Sequence, residues 1–190
     1  MTEQPEGRDT RARIQAIALE LFTEQGYDKT SLREIAERLG VTKAALYYHF
    51  KSKEEIVESF SNDHIDMIDR LMEWGRAQPP TLEARREFLR RYAEGIYNGP
   101  FAQVMQFYEQ NQATMRDRPS GHRFKDKMGA IGPILCDPDS GPTERLRAAM
   151  SIFSLHASLF VMRDDSLTRD ERLAAALTVA YDLIELNLKA

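Results

Sequence analysis

Apolar residues recur at steps of three and four positions along almost the whole chain, and no segment alternates apolar and polar residues as a half-buried strand does. The first predicted helix, residues 9–25, places five apolar residues on one face: Ile14, Ile17, Ala18, Leu21 and Phe22. The pattern predicts an all-α fold of about nine helices.

Helix boundaries are indicated by capping residues. Three predicted helix starts have the Ser/Thr-x-x-Glu spacing of a capping box: Ser31 with Glu34, Ser52 with Glu55, and Thr168 with Glu171. Gly40 is expected to end the second helix and Thr42 to cap the third. Within the seventh predicted helix, Pro133 is expected to kink or shorten the segment.

Residues 31–50, SLREIAERLGVTKAALYYHF, contain two short helices separated by a glycine turn. Gly40 is expected to adopt a left-handed conformation that turns the chain sharply between them. Leu46 and Phe50, four positions apart, would face inward. The opposite face then exposes four side chains: Lys43, Ala44, Tyr47 and Tyr48. Exposed tyrosines beside a lysine are typical of a surface that a partner covers.

The charge distribution changes how the net charge is interpreted. The 190-residue chain carries a formal charge of -4, which by itself argues against a nucleic-acid partner. Residues 29–53, however, contain six basic and two acidic residues, a charge of +4, so the remainder carries -8. This asymmetry is compatible with a compact cationic surface on an acidic body, although charge alone does not decide the function.

Residues 11–56, RARIQAIALELFTEQGYDKTSLREIAERLGVTKAALYYHFKSKEEI, resemble the DNA-binding domain of the TetR family of bacterial transcriptional regulators. The likeness covers about a quarter of the chain and joins an ALELFTEQGYDKTS start, an IAERLGVTKAALYYHF core and a KSKEE start of the fourth helix in the family's order. It implies a helix-turn-helix domain at residues 1–51 and a helical effector-binding and dimerisation domain at residues 52–190.

The resemblance also implies which residues meet DNA. Lys43 and Ala44 would face base edges in the major groove, and Lys53 would hold a phosphate near the start of the fourth helix. The full predicted set is Thr30, Ser31, Arg33, Thr42, Lys43, Ala44, Tyr47, Tyr48, His49 and Lys53. The implied function is a ligand-responsive regulator, by family habit a repressor, that binds a palindromic operator as a homodimer.

For the body, the resemblance implies a dimer made by the last two helices. The residues predicted for that interface are Met150, Ala157, Phe160, Leu177, Tyr181 and Ile184, although each is also a plausible core position. An apolar effector pocket is predicted to be lined by Phe88, Tyr92, Met105, Tyr108, Met128, Phe153 and His156. A hydrogen-bonded core role for His156 stays open beside a ligand contact.

The main alternative class is a helical metalloenzyme. Metal sites on helices need ligands three or four positions apart, and His64 and His156 have no such neighbours. Phosphate-binding glycine loops and nucleophile motifs are also not found. The sequence therefore predicts no enzyme activity and no cofactor or metal. A helix-turn-helix protein that acts only as an adaptor is disfavoured by Lys43, Tyr47 and Lys53.

Two further features bear on location and surface. The opening MTEQPEGRDTR has no signal-peptide pattern and no stretch reaches transmembrane length, so a cytoplasmic protein with no membrane partner is expected. The single cysteine, Cys136, is compatible with a reducing compartment. Arginines 85, 86, 90 and 91 alternate with glutamates 83, 87 and 94, which predicts a solvated, ion-paired helix face.

Overall fold

A computed structural model describes residues 5–111, 119–162 and 166–186, and in these ranges the chain is all-α, as predicted. The described residues form nine helices: α1 (Pro5–Gln25), α2 (Leu32–Leu39), α3 (Lys43–His49), α4 (Lys53–Arg76), α5 (Leu82–Asn98), α6 (Phe101–Gln110), α7 (Pro119–Leu135), α8 (Pro142–Val161) and α9 (Arg169–Glu185). No helix among these residues is both long and apolar enough to cross a bilayer.

The capping residues explain several boundaries. Both halves of the predicted capping box are present at α2, from Ser31 and Glu34, and at α9, from Thr168 and Glu171. The predicted box at α4 is wrong in one half. The Ser52 hydroxyl accepts from the Glu55 amide, but the Glu55 carboxylate accepts from the amide one residue earlier than Ser52. The helix start is preserved because the hydroxyl alone satisfies one of its amides.

The chain divides into two compact units. The first comprises residues 1–64 and 103–121, and the second comprises residues 65–102 and 122–190. Both α4 and α6 therefore contribute to the two units. The predicted domain boundary after residue 51 stays a prediction, and the first unit includes a stretch of sequence more than forty residues beyond it.

The first unit has its own apolar core. Its buried residues come mainly from α1 to α4, with two from α6: Ile14, Ala18, Leu19, Leu21, Phe22, Tyr27, Ile35, Ala36, Leu46, Phe50, Ile56, Val57, Phe60, Val104 and Phe107. Three aromatic rings meet in this core. Phe22 lies 5.1 Å from Tyr27 and 5.4 Å from Phe107 between ring centroids. These contacts add to the apolar area that stabilises a small helical unit.

The second unit is built around α5, which packs against α9, and α8, which packs against both. Its buried apolar residues on these three helices are Phe88, Leu89, Tyr92, Ala93 and Ile96, then Ala148, Ile152 and Leu155, then Ala176, Ala180 and Ile184. Alanines on the facing sides of α8 and α9 let the two helices approach closely. Gly75 has a similar role, because a Cβ there would lie 2.8 Å from the Phe88 ring.

One expectation for the second unit is corrected, and the kink or shortening expected at Pro133 stays a prediction. Arg85 is 5% exposed and therefore does not belong to the solvated arginine face of α5, where Arg86, Arg90 and Arg91 do form ion pairs. The helix containing Pro133 continues through it and ends at Leu135.

Candidate nucleic-acid interface and ligand site

The turn between α2 and α3 has the geometry that the sequence predicts. Gly40 has φ +74°, and its amide donates to the Glu37 carbonyl at 3.2 Å. The next amide, of Val41, donates to the Ala36 carbonyl at 3.0 Å. These two bonds make a Schellman motif, which satisfies the last carbonyls of α2 and reverses the chain direction. Thr42 then caps α3 by accepting from the Ala45 amide at 3.2 Å.

One side of α3 is fixed by the core of the first unit. Leu46 and Phe50 are fully buried, as their spacing predicts. The Phe50 ring is covered by the guanidinium of Arg11, 4.3 Å from the ring centroid. Arg11 also donates to the His49 carbonyl at 3.4 Å. Arg11 therefore fastens the end of α3 to α1, a role that the sequence does not indicate because nothing local links two residues so far apart.

The other side of α3 is exposed, also as predicted. Lys43, Ala44 and Tyr48 point away from the core, with Tyr48 80% exposed. Tyr47 is at the margin of exposure, and the Lys43 ammonium lies 5.3 Å from its ring centroid. This face offers an ammonium, a methyl and two phenols. Such groups can bond phosphate oxygens and base edges, or contact a thymine methyl.

The start of α2 carries a second set of predicted contacts. The Ser31 hydroxyl and amide both donate to the Glu34 carboxylate, at 2.8 Å and 2.7 Å. These hydrogen bonds lower the pKa of Glu34, so the carboxylate stays ionised. Arg33 is exposed and pairs with Glu37 at 2.7 Å. Both Ser31 and Arg33 are accessible, but each would exchange an existing partner for a phosphate.

Thr30 and Lys53 are held around Tyr27. The Thr30 side chain is buried; its hydroxyl donates to the Gly26 carbonyl at 2.9 Å and its amide to the Tyr27 carbonyl at 3.3 Å. The Lys53 ammonium donates to the same Tyr27 carbonyl at 2.6 Å and lies 4.4 Å from the Tyr27 ring centroid. The Tyr27 hydroxyl donates to Glu54 at 2.7 Å. Tyr27 thus ties the α1–α2 loop to the start of α4, a contact that no sequence pattern indicated.

Ion pairing reduces the cationic charge of this unit. Arg38 lies within salt-bridge distance of Glu20, at 3.1 Å, and of Glu24, at 3.4 Å. Its positive charge is therefore balanced within the unit, as that of Arg33 is by Glu37. The cations left to attract an anionic partner are mainly lysines, and Lys43 and Lys51 are the exposed ones nearest to the outward face of α3.

In the second unit, three residues of the predicted effector pocket come together. The Tyr92 hydroxyl lies 2.6 Å from His156 Nε2 and 3.5 Å from the Met128 sulfur. The Tyr92 and His156 rings are stacked, and Phe101, which was not predicted, meets His156 edge-on at 5.1 Å. Burial lowers the pKa of His156 to about 4 and raises that of Tyr92. Both groups are therefore neutral at physiological pH.

The other predicted pocket residues are distributed differently. Phe88 is fully buried in the core of the second unit, whereas Phe153 is 59% exposed. Met105 is half-buried in the first unit. The side chain of Tyr108 lies outside the described part of the chain. Among the predicted lining residues that the structure describes, Met128 and His156 thus each contact Tyr92.

An exposed apolar stripe follows α8 and continues on α9. Its large members on α8 are Leu146, Met150, Phe153 and Val161, with the smaller Ala157 between them; Val179 on α9 and Leu186, directly after α9, are also exposed. Of the predicted interface residues, Met150 and Ala157 belong to this stripe, while Phe160, Leu177 and Tyr181 are half-buried. Ile184 is 1% exposed and is a core residue, because α9 turns it towards α5 and α8.

The described residues contain no group of three or more His, Cys, Asp or Glu side chains placed to hold a metal ion.

Comparison with known proteins finds a family match within the first unit. Residues 14–60 match the family described as bacterial regulatory proteins, tetR family. The transcriptional regulator AcrR of Shigella flexneri is 49% identical over 51 residues, 27% of this chain and 24% of the relative. The negative regulator IcaR of a Staphylococcus epidermidis biofilm operon is 46% identical over 57 residues, 28% of this chain and 31% of the relative. These matches span less than a third of the relatives.

The likeness in fold extends much further along the chain. The crystal structure of PfmR, a TetR family transcriptional regulator from Thermus thermophilus, superposes with a TM-score of 0.65 and 27% identity. The superposition covers 94% of this chain and 98% of PfmR.

Proposed function

The chain carries the N-terminal domain of the TetR family, and we propose that it is a ligand-responsive transcriptional repressor. It binds a palindromic operator as a homodimer and is released by a small, largely apolar effector. The observation that carries the proposal is the outward face of α3, where Lys43, Tyr47 and Tyr48 are exposed while Leu46 and Phe50 hold the helix from behind. Its task is regulatory and not catalytic.

The proposed DNA contacts follow from accessibility. Lys43 and Ala44 read base edges in the major groove, the lysine bonding guanine and the methyl touching thymine. Phosphate contacts come from the accessible polar groups around them: Ser31, Arg33, Thr42, Tyr47, Tyr48 and His49. Lys53 donates one hydrogen bond to Tyr27 and retains two donors for a phosphate. For Thr30 we propose a supporting role, because its hydroxyl and amide already hold the loop before α2.

Dimerisation is proposed to bury the apolar stripe of α8 and α9. Large apolar side chains spaced along a helix face are unfavourable in water and mark a surface for another protein. A two-fold axis through this surface would pair α8 and α9 with their copies in a four-helix arrangement. Two recognition helices could then enter successive major grooves about 34 to 36 Å apart.

The effector site is proposed to include Tyr92, Met128 and His156. Their rings and thioether are apolar, and a ligand would take a polar contact from the Tyr92 hydroxyl or the His156 imidazole in exchange for the hydrogen bond that these two groups now share. The identity of IcaR as a negative regulator supports repression over activation. A bacterial regulator that binds genomic DNA works where that DNA is, so we propose a cytoplasmic location.

The direct test is binding of the full chain to labelled genomic fragments from upstream of its own and neighbouring genes. We expect one fragment to bind far more tightly than the rest. If about ten phosphates are neutralised, the logarithm of the binding constant falls with the logarithm of the salt concentration with a slope of about −9. Lys43→Ala and Tyr47→Ala should each weaken specific binding about tenfold or more.

The matched control is Lys127→Ala, which removes a lysine charge from the second unit. It should leave specific binding within about twofold of the unmodified chain. Weak binding to every fragment, with Lys43→Ala and Tyr47→Ala no different from the unmodified chain, would refute DNA recognition through α3.

A further inference from the structure

The second unit contains a cavity of about 270 Å³ near the end of α4, the start of α5 and the end of α7. Its walls are mostly apolar and include Pro79, Pro80, Pro133, Ile134 and Pro138. It shares no residue with the Tyr92, Met128 and His156 site. At about 30 Å³ per water molecule, the volume equals that of roughly nine waters, enough for a compact ring with one substituent.

One charged side chain in the cavity wall is buried. Arg85 is 5% exposed, and its Nη2 donates to Asp137 Oδ1 at 2.5 Å. Its Nε is buried and has no hydrogen-bond partner within the described ranges. A buried guanidinium has five donors, and leaving one of them without a partner is costly. A guanidinium that lines the cavity therefore has one donor with no protein partner in the described ranges.

The carboxylate that neutralises Arg85 is poorly enclosed. The Asp137 side chain is 51% exposed, whereas that of Arg85 is 6% exposed. A second cavity, of about 390 Å³, is also lined by Cys136, Asp137 and Pro138. The segment carrying Asp137 thus has open space on more than one side, and tight packing does not oppose its displacement.

We propose that this cavity binds a small carboxylic acid with a compact apolar body, such as an aromatic acid. The ligand's carboxylate forms an ion pair with the Arg85 guanidinium in place of Asp137, and its ring lies against the proline and isoleucine walls. A planar carboxylate suits the fork of an arginine better than a halide or a neutral amide. The site is independent of the proposed DNA binding and of the effector site around His156.

The experiment is isothermal titration of the full chain with benzoate, and with benzamide as a neutral ligand of the same shape. Benzoate should bind at least about tenfold more tightly than benzamide, because only benzoate carries the charge that Arg85 requires. Asp137→Asn should tighten benzoate binding several-fold, since the ligand then displaces a neutral amide. The control Asp139→Asn removes the same charge from an exposed residue of the same loop and should change the affinity less than about twofold.

Arg85→Gln should abolish benzoate binding, with folding checked by circular dichroism. If that variant does not fold, the comparison of Asp137→Asn with Asp139→Asn decides the question. Equal affinity for benzoate and benzamide, equal effects of the two aspartate variants, or no heat from benzoate up to about 10 mM, the lower limit of ligand efficiency at this size, would overturn the proposal.

Discussion

The two units differ in the residues that surround their exposed apolar and aromatic side chains. On α3 of the first unit, Tyr47 and Tyr48 stand beside Lys43 on a helix of only seven residues. On α8 of the second unit, Phe153 and Val161 stand in a stripe whose members are all apolar. Exposed aromatic rings beside an ammonium group can bind DNA, which offers both phosphates and bases. A purely apolar stripe is better matched by another apolar protein surface. The residues next to an exposed ring therefore indicate the kind of partner better than the exposed fraction of the ring does.

The two exposed surfaces also differ in the interactions that fix their positions. The ends of α2 and the start of α3 are set by interactions close in sequence, namely the Ser31 box, the Gly40 turn and the Thr42 cap. The stripe on α8 depends on packing against α5 and α9. Substitutions of the capping and turn residues should therefore disturb the surface of α3. Substitutions that change apolar packing or introduce a charge should disturb the stripe on α8.

The largest expected effect comes from a charge within the stripe. Phe153→Glu places one carboxylate from each copy in the proposed two-fold interface, where an unpaired charge is costly. We expect monomers and a loss of operator affinity on the order of a thousandfold, about 4 kcal/mol. Sedimentation and anisotropy measure the two effects. The fold should persist, because Phe153 is 59% exposed in the single chain.

The control for this charge is Ala77→Glu, at an exposed position outside the stripe, which should leave the oligomeric state and the operator affinity unchanged. A Phe153→Glu protein that remains dimeric would move the interface elsewhere and remove the distinction drawn between the two exposed surfaces.

A smaller effect is expected from the buried polar contact in the second unit. The folded pKa of His156 is lowered to about 4 from 6.5, so between these values the unfolded chain binds a proton that the folded chain does not. Stability should be complete above the unfolded pKa of 6.5 and should fall by about 2–3 kcal/mol as the pH drops towards 4. In His156→Gln this part of the pH dependence disappears, which urea unfolding at several pH values can measure.

The corresponding control lies in the first unit. His49→Gln should keep the acid loss of stability that His156→Gln removes. Identical pH profiles for the original chain and His156→Gln would contradict the assignment of this loss to the Tyr92 and His156 contact.

The smallest expected effect compares equivalent caps in the two units. Ser31→Ala and Thr168→Ala each remove a capping hydroxyl, and each should lower the free energy of unfolding by about 1 kcal/mol. Only Ser31→Ala should also weaken operator binding, because Ser31 is a proposed phosphate contact and α2 positions the turn before α3. Anisotropy after matched unfolding measurements separates the two results. Equal losses of DNA affinity would mean that the effect reflects stability alone.

Much of the first unit was predictable because its determinants are local. The Ser31 and Glu34 box, the left-handed Gly40 and the inward pair Leu46 and Phe50 each depend on residues a few positions apart. Contacts such as Arg11 on Phe50 join distant parts of the chain and leave no periodic signal. The DNA contacts themselves stay predictions.

The second unit was harder to predict because helical periodicity indicates which face of a helix is buried but not which residues that face contacts. Phe153 and His156 are three residues apart on α8, yet His156 packs on Tyr92 while Phe153 is exposed. Arg85 and Arg86 are adjacent, yet only Arg85 is buried, and it pairs with Asp137, which is 52 residues away in the sequence. Such distinctions depend on tertiary packing.

The division of labour within α3 has a consequence for how such a protein changes over evolutionary time. The residues that hold the helix, Leu46 and Phe50, are separate from those that face outward, and Lys43, Ala44 and Tyr48 contribute little to the core. Replacing an outward residue should alter the preferred DNA sequence at small cost to folding. A duplicated gene can therefore acquire a new target by a few surface substitutions while the scaffold stays intact.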